Sequence, residues 1–440
     1  MSAGQITSLR LTAFKSYQGA EMPLAPLNVV IGRNGSGKSN ALDALEVLSR
    51  LARGEEVRDA LDGDRRKESG PVRGGIEGCA PYGTDHFEIG ATVEGDDDFY
   101  AELDVRIQVR PRVHVVYEKL SADIGSGHHE LLLADEPNPE SSDLWASVWN
   151  GKRGRNPSMA FRSSHLLTSQ LPLRLPGEGE REQRLLGIVT RVLSILGGVF
   201  HLDPVPHLMR QYVPEQDFVL RRTAENISAA VARLKHDDPA RFGQLVSIVK
   251  DLPEHEIRGV DVGKGPYGEV MVALKERKGR SSVVIPARQM SDGMLRMLAI
   301  STALLSGGGG LDLDRSSMTD SPALMLVVEE LENGLHPSQA ARVLDLVKHA
   351  SAERGFQVMV TTHSPALLNA LSGDDHQGVL LVDRDRASGL SRVRRLVDVP
   401  GYLSVMASQR LGDAVSRLEL SQRLDAEPGY DEINRLLGIV

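Results

Sequence analysis

The chain predicts an α/β fold of the P-loop type: a mixed sheet with an antiparallel β lobe and a helical insertion. Three observations carry that expectation. Residues 27–40, LNVVIGRNGSGKSN, hold G-x-x-x-x-G-K-[ST] in full as Gly32, Gly37, Lys38 and Ser39, between an apolar strand and a helix-like run. Residues 324–337, LMLVVEELENGLHP, close an unbroken apolar run on two adjacent acids, Glu329 and Glu330. Between them, residues 87–93, 99–108 and 113–120 alternate apolar with polar side chains, the period of half-buried antiparallel strands.

In chain order, residues 5–31 predict two strands bounding a turn at 18–23, the second running into the glycine loop. In such a loop, backbone N–H groups form a concave nest for phosphate oxygens, and the following helix, here over 41–51, adds the positive end of its dipole. Arg33, Asn34, Gly35, Ser36, Gly37, Lys38, Ser39 and Asn40 are therefore the candidate nucleotide contacts. Lys38 is placed to reach the β- and γ-phosphates of ATP, and the Ser39 hydroxyl to ligate Mg2+. Residues 121–176 are polar and rich in Gly, Pro and Ser, and predict loops and a hinge. Helices are expected over 182–196, 224–235 and 240–250, and strands again at 256–262, 269–275 and 282–285. This order divides the chain into an N-terminal lobe (1–120), a mainly helical insertion (121–255) and a C-terminal lobe (256–440).

The segment MSDGMLR, residues 290–296, opens a strongly apolar helix over 295–305. Ser291 is a plausible N-cap, and Gly293 permits close backbone approach; such a helix start suits an anion. The apolar run before Glu329 is that of a strand buried on both faces. A carboxylate at its tip can hold Mg2+ through a water, which makes Glu329 the metal-side residue and Glu330 the candidate general base. Residues 357–362, QVMVTT, form a further buried strand delivering His363 and Ser364 to the same sheet edge. The strand at 378–383 ends in Asp383 and Asp385, read as a structural strand end because no upstream glutamate motif accompanies it. His128 and His129 lack partners at metal-ligand spacing and read as a surface loop.

Taken together, these motifs resemble the ABC-ATPase head of the RecF/SMC/OLD group rather than an AAA+ ring or a RecA-like fold. They are most similar to stand-alone bacterial AAA-family ATPases with the phrases LKNFKSF, GxNGSGKSN, LSDGTLR, EEPENGLHP and TTHSP. Here the phrases read LTAFKSY, GRNGSGKSN, MSDGMLR, EELENGLHP and TTHSP, within residues 5–50 and 280–370. The resemblance implies that residues 32–39 are Walker A, MSDGM the signature, VVEELENGLHP Walker B with the D-loop, and TTHS the H-loop. His363 is then a switch histidine sensing the γ-phosphate. Asp292 replaces the first glycine of the transporter signature, Leu331 stands where proline commonly follows the double acid, and Gln170 is the best candidate for a Q-loop glutamine.

The resemblance further implies a head-to-tail homodimer in which Ser291 and Gly293 cap the partner's nucleotide. ATP hydrolysis would drive a DNA-directed process, in repair or anti-phage defence, through a separately encoded effector. The alternative is a nucleotide-gated scaffold or sensor with slow hydrolysis that holds or inhibits a partner nuclease or toxin.

Composition narrows the setting. The net charge of −9 excludes recruitment to nucleic acid by global electrostatics, so any DNA contact falls to local patches. Those patches are residues 65–67 with Arg73, 152–155, 275–280 and 392–395. A single cysteine, Cys79, excludes an intramolecular disulfide and fits a reducing cytoplasm. The longest apolar stretch, 297–305, is too short to span a membrane. No segment sustains three heptads, so the long rod of SMC proteins is not expected.

Overall fold

The computed structural model describes residues 4–63, 70–125, 127–138, 141–152, 154–250, 256–313, 324–335 and 337–417. Its strands are β1 Gln5–Phe14, β2 Tyr17–Pro23, β3 Leu27–Gly32, β4 His86–Gly95, β5 Phe99–Gln108, β6 His114–Asp123, β7 His128–Ala134, β8 Asp143–Val148 and β9 Ser158–Arg162. They continue as β10 Val199–Leu202, β11 Val213–Pro214, β12 Ile257–Lys264, β13 Glu269–Lys278, β14 Ser281–Pro286, β15 Met325–Val328, β16 Gln357–Thr361, β17 Val379–Arg384 and β18 Ser391–Arg395.

One 14-stranded sheet runs in the order β10-β15-β16-β3-β17-β18-β2-β1-β4-β5-β6-β7-β8-β9. From β10 to β17 all neighbours are parallel, and their sequences are the continuous apolar runs that burial on both faces demands. Every residue of β15 is buried. From β2 outward the neighbours are antiparallel. There the strands alternate, as in β5, where Ala101, Leu103, Val105 and Ile107 face the core. A pairing of Ser391 with Tyr17 joins the two halves. Strands β11 to β14 form a second, smaller sheet.

The helix Lys38–Ala52 fills the space beneath the junction. Leu42, Leu45, Leu48 and Leu51 share one core with Leu9, Leu11, Phe14 and Phe87, and Phe14 meets Phe87 edge-on at 5.5 Å. The helix Glu180–Gly197 covers its other side, so polar residues of the first helix are buried too. Glu46 is one of them. Burial opposes its charge, but His201, Arg222 and Arg50 hold its pKa down at about 2. The apolar helix Asp292–Ser306 anchors the second core, against Leu326, Val328 and Val360.

Four expectations are corrected. Residues 18–23 are the strand β2; the chain reverses earlier, at Lys15, whose φ is 51°. Residues 121–176 are not mainly loops. They supply β7, β8 and β9 and the helix Leu167–Arg174. These strands are short and divided by turn residues, which hides their alternation, though Leu144, Ala146 and Val148 all face inward. His128 and His129 accordingly lie on β7. The expected helices do form, as Glu180–Gly197, Ile227–Asp237 and Pro239–Lys250. Between the first two, however, residues 199–202 return to the main sheet as β10 beside β15.

The basic patches are partly neutralised: Lys275 pairs with Asp261 at 2.9 Å, Arg392 with Asp385 at 2.7 Å and Arg395 with Asp398 at 2.8 Å. Residues 65–67 and Arg153 lie outside the described residues. Among the described residues no helix is long and apolar enough to cross a membrane.

Candidate nucleotide site

Because β3 lies between β16 and β17, the loop that leaves it opens at the carboxyl edge of the parallel strands, where ligands of α/β sheets bind. The loop needs glycine at Gly37, whose φ is 116° and where a Cβ would fall 2.3 Å from Ser391 Oγ. Arg33, Asn34 and Gly35 are exposed, whereas Ser36 and Lys38 are buried. Lys38 Nζ donates to the carbonyls of Gly32 at 2.8 Å and Arg33 at 3.0 Å. Burial lowers its pKa, opposed by the facing acids Glu330, Glu332 and Glu329.

Three residues absent from the sequence-level site brace this loop. Tyr17 donates its phenol to the Gly37 carbonyl at 3.1 Å, and Ser391 Oγ donates to the Ser36 carbonyl at 2.6 Å. Asn40 Nδ2 donates to Ser16 Oγ at 2.7 Å, and Ser16 and Ser391 are themselves bonded at 2.7 Å. Ser16 and Tyr17 lie inside the phrase LTAFKSY and were within reach of a pattern argument; Ser391 had no local signal.

Pairing of β15 with β16, and of β16 with β3, sets the two acids beside the loop. Ser39 Oγ lies 3.4 Å from Glu329 Oε2, across 290 residues of sequence. The other oxygen, Oε1, accepts from the Arg73 guanidinium. Glu330 has a φ of 46°, and its N–H donates to Thr361 Oγ1 at 2.9 Å. Leu331 is buried and donates its N–H to the Thr361 carbonyl at 3.1 Å. A proline there has no such donor. Glu332 Oε1 accepts from the His363 N–H at 2.6 Å. Burial and the nearby Lys38 charge lower the imidazole pKa of His363, against the opposing pull of Glu332 and Glu330. These surroundings favour the uncharged form of the imidazole. Arg33–Asn40, Glu329, Glu330 and His363 thus share one edge.

Ser291 is the N-cap expected, its Oγ accepting from Met294 N–H at 3.3 Å. The close approach made possible by Gly293 is to its own chain, since a Cβ there would fall 2.0 Å from the Gly334 carbonyl oxygen. Arg210 fastens the same start, bonding Asp292 Oδ1 at 2.6 Å and the Met290 carbonyl at 2.9 Å. Gln170 spends both ends of its amide locally, on the Arg162 backbone at 3.1 and 2.9 Å and on the Leu166 carbonyl at 3.3 Å. It acts as a clamp between β9 and the next helix. Asp385 likewise is taken up by Arg392 and Ser388.

The Ser39 hydroxyl and the Glu329 carboxylate are hard oxygen donors, which suits Mg2+. Among the described residues no group of three or more His, Cys, Asp or Glu could hold a metal ion.

A family profile described as "AAA domain, putative AbiEii toxin, Type IV TA system" matches residues 27–174 and 199–369. The chain belongs to this family. The matched ranges contain the loop, both acids, His363 and the Ser291 helix start. Over 46 residues the chain is 50% identical to the DNA replication and repair protein RecF of Chlamydia caviae, covering 10% of this chain and 12% of that one. Over 75 residues it is 40% identical to structural maintenance of chromosomes protein 1 of Arabidopsis thaliana, covering 15% of this chain and 6% of that one. The chain therefore matches only a small part of the length of these curated relatives. Among solved structures it is similar to an SMC head bound to the C-terminal winged-helix domain of ScpA, at 16% identity and a TM-score of 0.48, covering 89% of this chain and 97% of that one. The SMC head domain from Thermotoga maritima aligns at 14% identity and a TM-score of 0.42, covering 89% and 98%.

Proposed function

We propose that the chain binds ATP with Mg2+ and hydrolyses it as an ABC-type switch, dimerising head to tail around the nucleotide. Membership of the P-loop ATPase family supports the coarse activity; the residue roles are our assignment. The observation that carries it is the meeting of Ser39 with Glu329 at 3.4 Å, on the edge that also holds Lys38, Glu330 and His363. In this reading, residues 33–40 cradle the phosphates, and Lys38 leaves its two loop carbonyls to meet them. Ser39 and Glu329 hold Mg2+, which when bound offsets phosphate charge. Glu330 takes the proton of the attacking water, aimed by a backbone at φ 46°, a conformation that persists in bulky residues only where its surroundings enforce it. His363 hydrogen-bonds the γ-phosphate. Ser291 and Gly293 cap the partner's nucleotide, so that hydrolysis releases the pair.

We place this switch in the cytoplasm, and because one sheet draws strands from 1–120, 121–255 and 256–440 alike, these three parts would move together as one head. The names of the curated relatives support a DNA-directed output, in repair or anti-phage defence, through a separate effector. The family's description as a putative toxin of a type IV system favours a second reading, in which the nucleotide-bound dimer gates a partner nuclease or toxin.

Glu330→Gln tests the core of this reading. We expect turnover to fall by roughly 10²–10⁴, the worth of a positioned general base, with ATP binding intact and an ATP-dependent dimer trapped in light scattering. Near-wild-type turnover would remove Glu330 from the chemistry. A pure hydrolysis defect in Glu329→Gln, absent from Glu330→Gln, would reverse the two roles.

A further inference from the structure

We propose that Arg73 competes with Mg2+ for the Glu329 carboxylate and thereby sets how readily the phosphate site takes up its metal. This rests on the reading of Ser39 and Glu329 as the metal side of that site.

Both oxygens of Glu329 are engaged, Oε2 by Ser39 Oγ at 3.4 Å and Oε1 by Arg73 Nη2. A guanidinium only donates and is always charged. A metal ion, or the water it carries, needs the same lone pairs and brings its own positive charge. Two cations at one carboxylate repel, so occupancy by either weakens the other, and the weakening is reciprocal.

Arg73 is held in place by its neighbours. Val72 N–H donates to the Leu61 carbonyl at 2.9 Å, and Gly75 N–H to the Val72 carbonyl at 2.7 Å. Gly74 and Gly75 follow with φ of 86° and 58°, a tight turn that few other residues permit. Lys15 Nζ, which also pairs with Asp43 at 2.6 Å, donates to the Arg73 carbonyl at 2.6 Å. The Arg73 backbone is thus tied to the turn after β1 and, through Lys15 and Asp43, to the helix Lys38–Ala52, while its neighbour Val72 is bonded to Leu61.

The side chain has a second acid within reach. Asp43 Oδ1 lies 3.8 Å from Arg73 Nε. Arg73 is 46% exposed and Asp43 only 3%, so the guanidinium can leave Glu329 and keep Asp43 as counter-ion. A surface ion pair alone would be worth little. This one blocks a carboxylate that the chemistry needs, and that makes it a device with two positions: on Glu329 before the metal binds, on Asp43 afterwards.

The test measures metal binding without turnover. The full chain is titrated with Mn2+, a paramagnetic stand-in for Mg2+, in the presence of the non-hydrolysed analogue AMP-PNP, and free Mn2+ is followed by electron paramagnetic resonance. Arg73→Ala should bind Mn2+ at least about 5-fold more tightly than wild type, the low end of coupling between two ligands. Arg73→Lys, which keeps a cation, should stay near wild type. Arg73→Gln, which keeps a donor but no charge, should also tighten and serves in place of Arg73→Ala should that variant misfold. Unchanged or weaker Mn2+ affinity in a folded Arg73→Ala or Arg73→Gln protein overturns the proposal alone. If wild type shows no AMP-PNP-dependent Mn2+ binding, the metal assignment of Ser39 and Glu329 fails and takes the proposal with it.

Discussion

A single methyl group at Gly293 should uncouple the Ser291 helix from the acid turn. Built on the backbone, the Cβ of Gly293→Ala falls 2.0 Å from the Gly334 carbonyl oxygen and 3.0 Å from its carbon, where ordinary contact starts at 3.4 Å. Either the helix start or the turn must therefore retreat by about 1.4 Å. The turn has few ways to yield. Gly334 already sits at φ 74°, Asn333 N–H is bonded to the Glu330 carbonyl at 2.7 Å, and Leu335 N–H to the Glu332 carbonyl at 2.9 Å. Displacement at Gly334 is thus passed to Glu330 and Glu332, one the proposed base and the other the acceptor of the His363 N–H. Misplacing catalytic groups by about 1 Å can cost on the order of 10²-fold in rate, and overpacking a tight site costs about 1–3 kcal/mol. We expect Gly293→Ala to lose about 10²-fold in ATPase turnover and about 1–3 kcal/mol in urea unfolding. A fluorescent ATP analogue should bind within about twofold of wild type, since Lys38 and Ser39 are untouched. An Ala variant with full turnover and unchanged unfolding would show that the contact yields freely, and would break the inferred link between helix start and acid turn.

Three further outcomes are expected. Lys38→Ala should abolish ATP binding or hydrolysis while circular dichroism stays native; near-normal turnover in the folded variant would eliminate the loop assignment. Ser291→Arg, at an exposed cap, should leave monomer nucleotide affinity nearly unchanged but block dimerisation and hydrolysis. Mixing it with Lys38→Ala should restore up to about half the activity per dimer, less where the sites are coupled, whereas loss of monomer affinity would place Ser291 in cis. Glu118 is fully buried and accepts from the N–H groups of Leu167 and Thr168 at 2.6 Å each; burial nonetheless raises its pKa from 4.5 to about 7. The folded state then holds a proton that the unfolded state releases, so this contribution is present below about pH 4.5 and lost as pH rises through about 7. The urea midpoint of wild type should fall relative to that of Glu118→Gln between pH 5 and pH 8, and a constant difference would contradict the assignment.

What the sequence determines unaided about this protein is what local backbone chemistry dictates. A phosphate nest needs positive φ and absent side chains at fixed spacing, so Gly35 and Gly37 announce it before any contact is known. A strand buried on both faces must be apolar throughout, so β15 and β16 stand out, and with them the positions of Glu329, Glu330 and His363. The Ser291 cap is equally local, since its hydroxyl serves an N–H three residues on. What only the tertiary structure decides is which of these edges meet and what else reaches them. The strands β7 to β9 are short and interrupted, and become strands by pairing outward from β6, a non-local stabilisation that no short window reports. The four residues of β10 join the sheet only because β15 offers them an open parallel edge. Gly293 reads as a ligand-facing glycine until the fold presses Gly334 against it. Arg73 reads as one more surface charge until the sheet order sets β15 next to β16 and β3, carrying Glu329 to the loop where that arginine waits. Spacing along the chain encodes backbone conformation, but the partner of a charged side chain is chosen by whichever buried strands end up side by side.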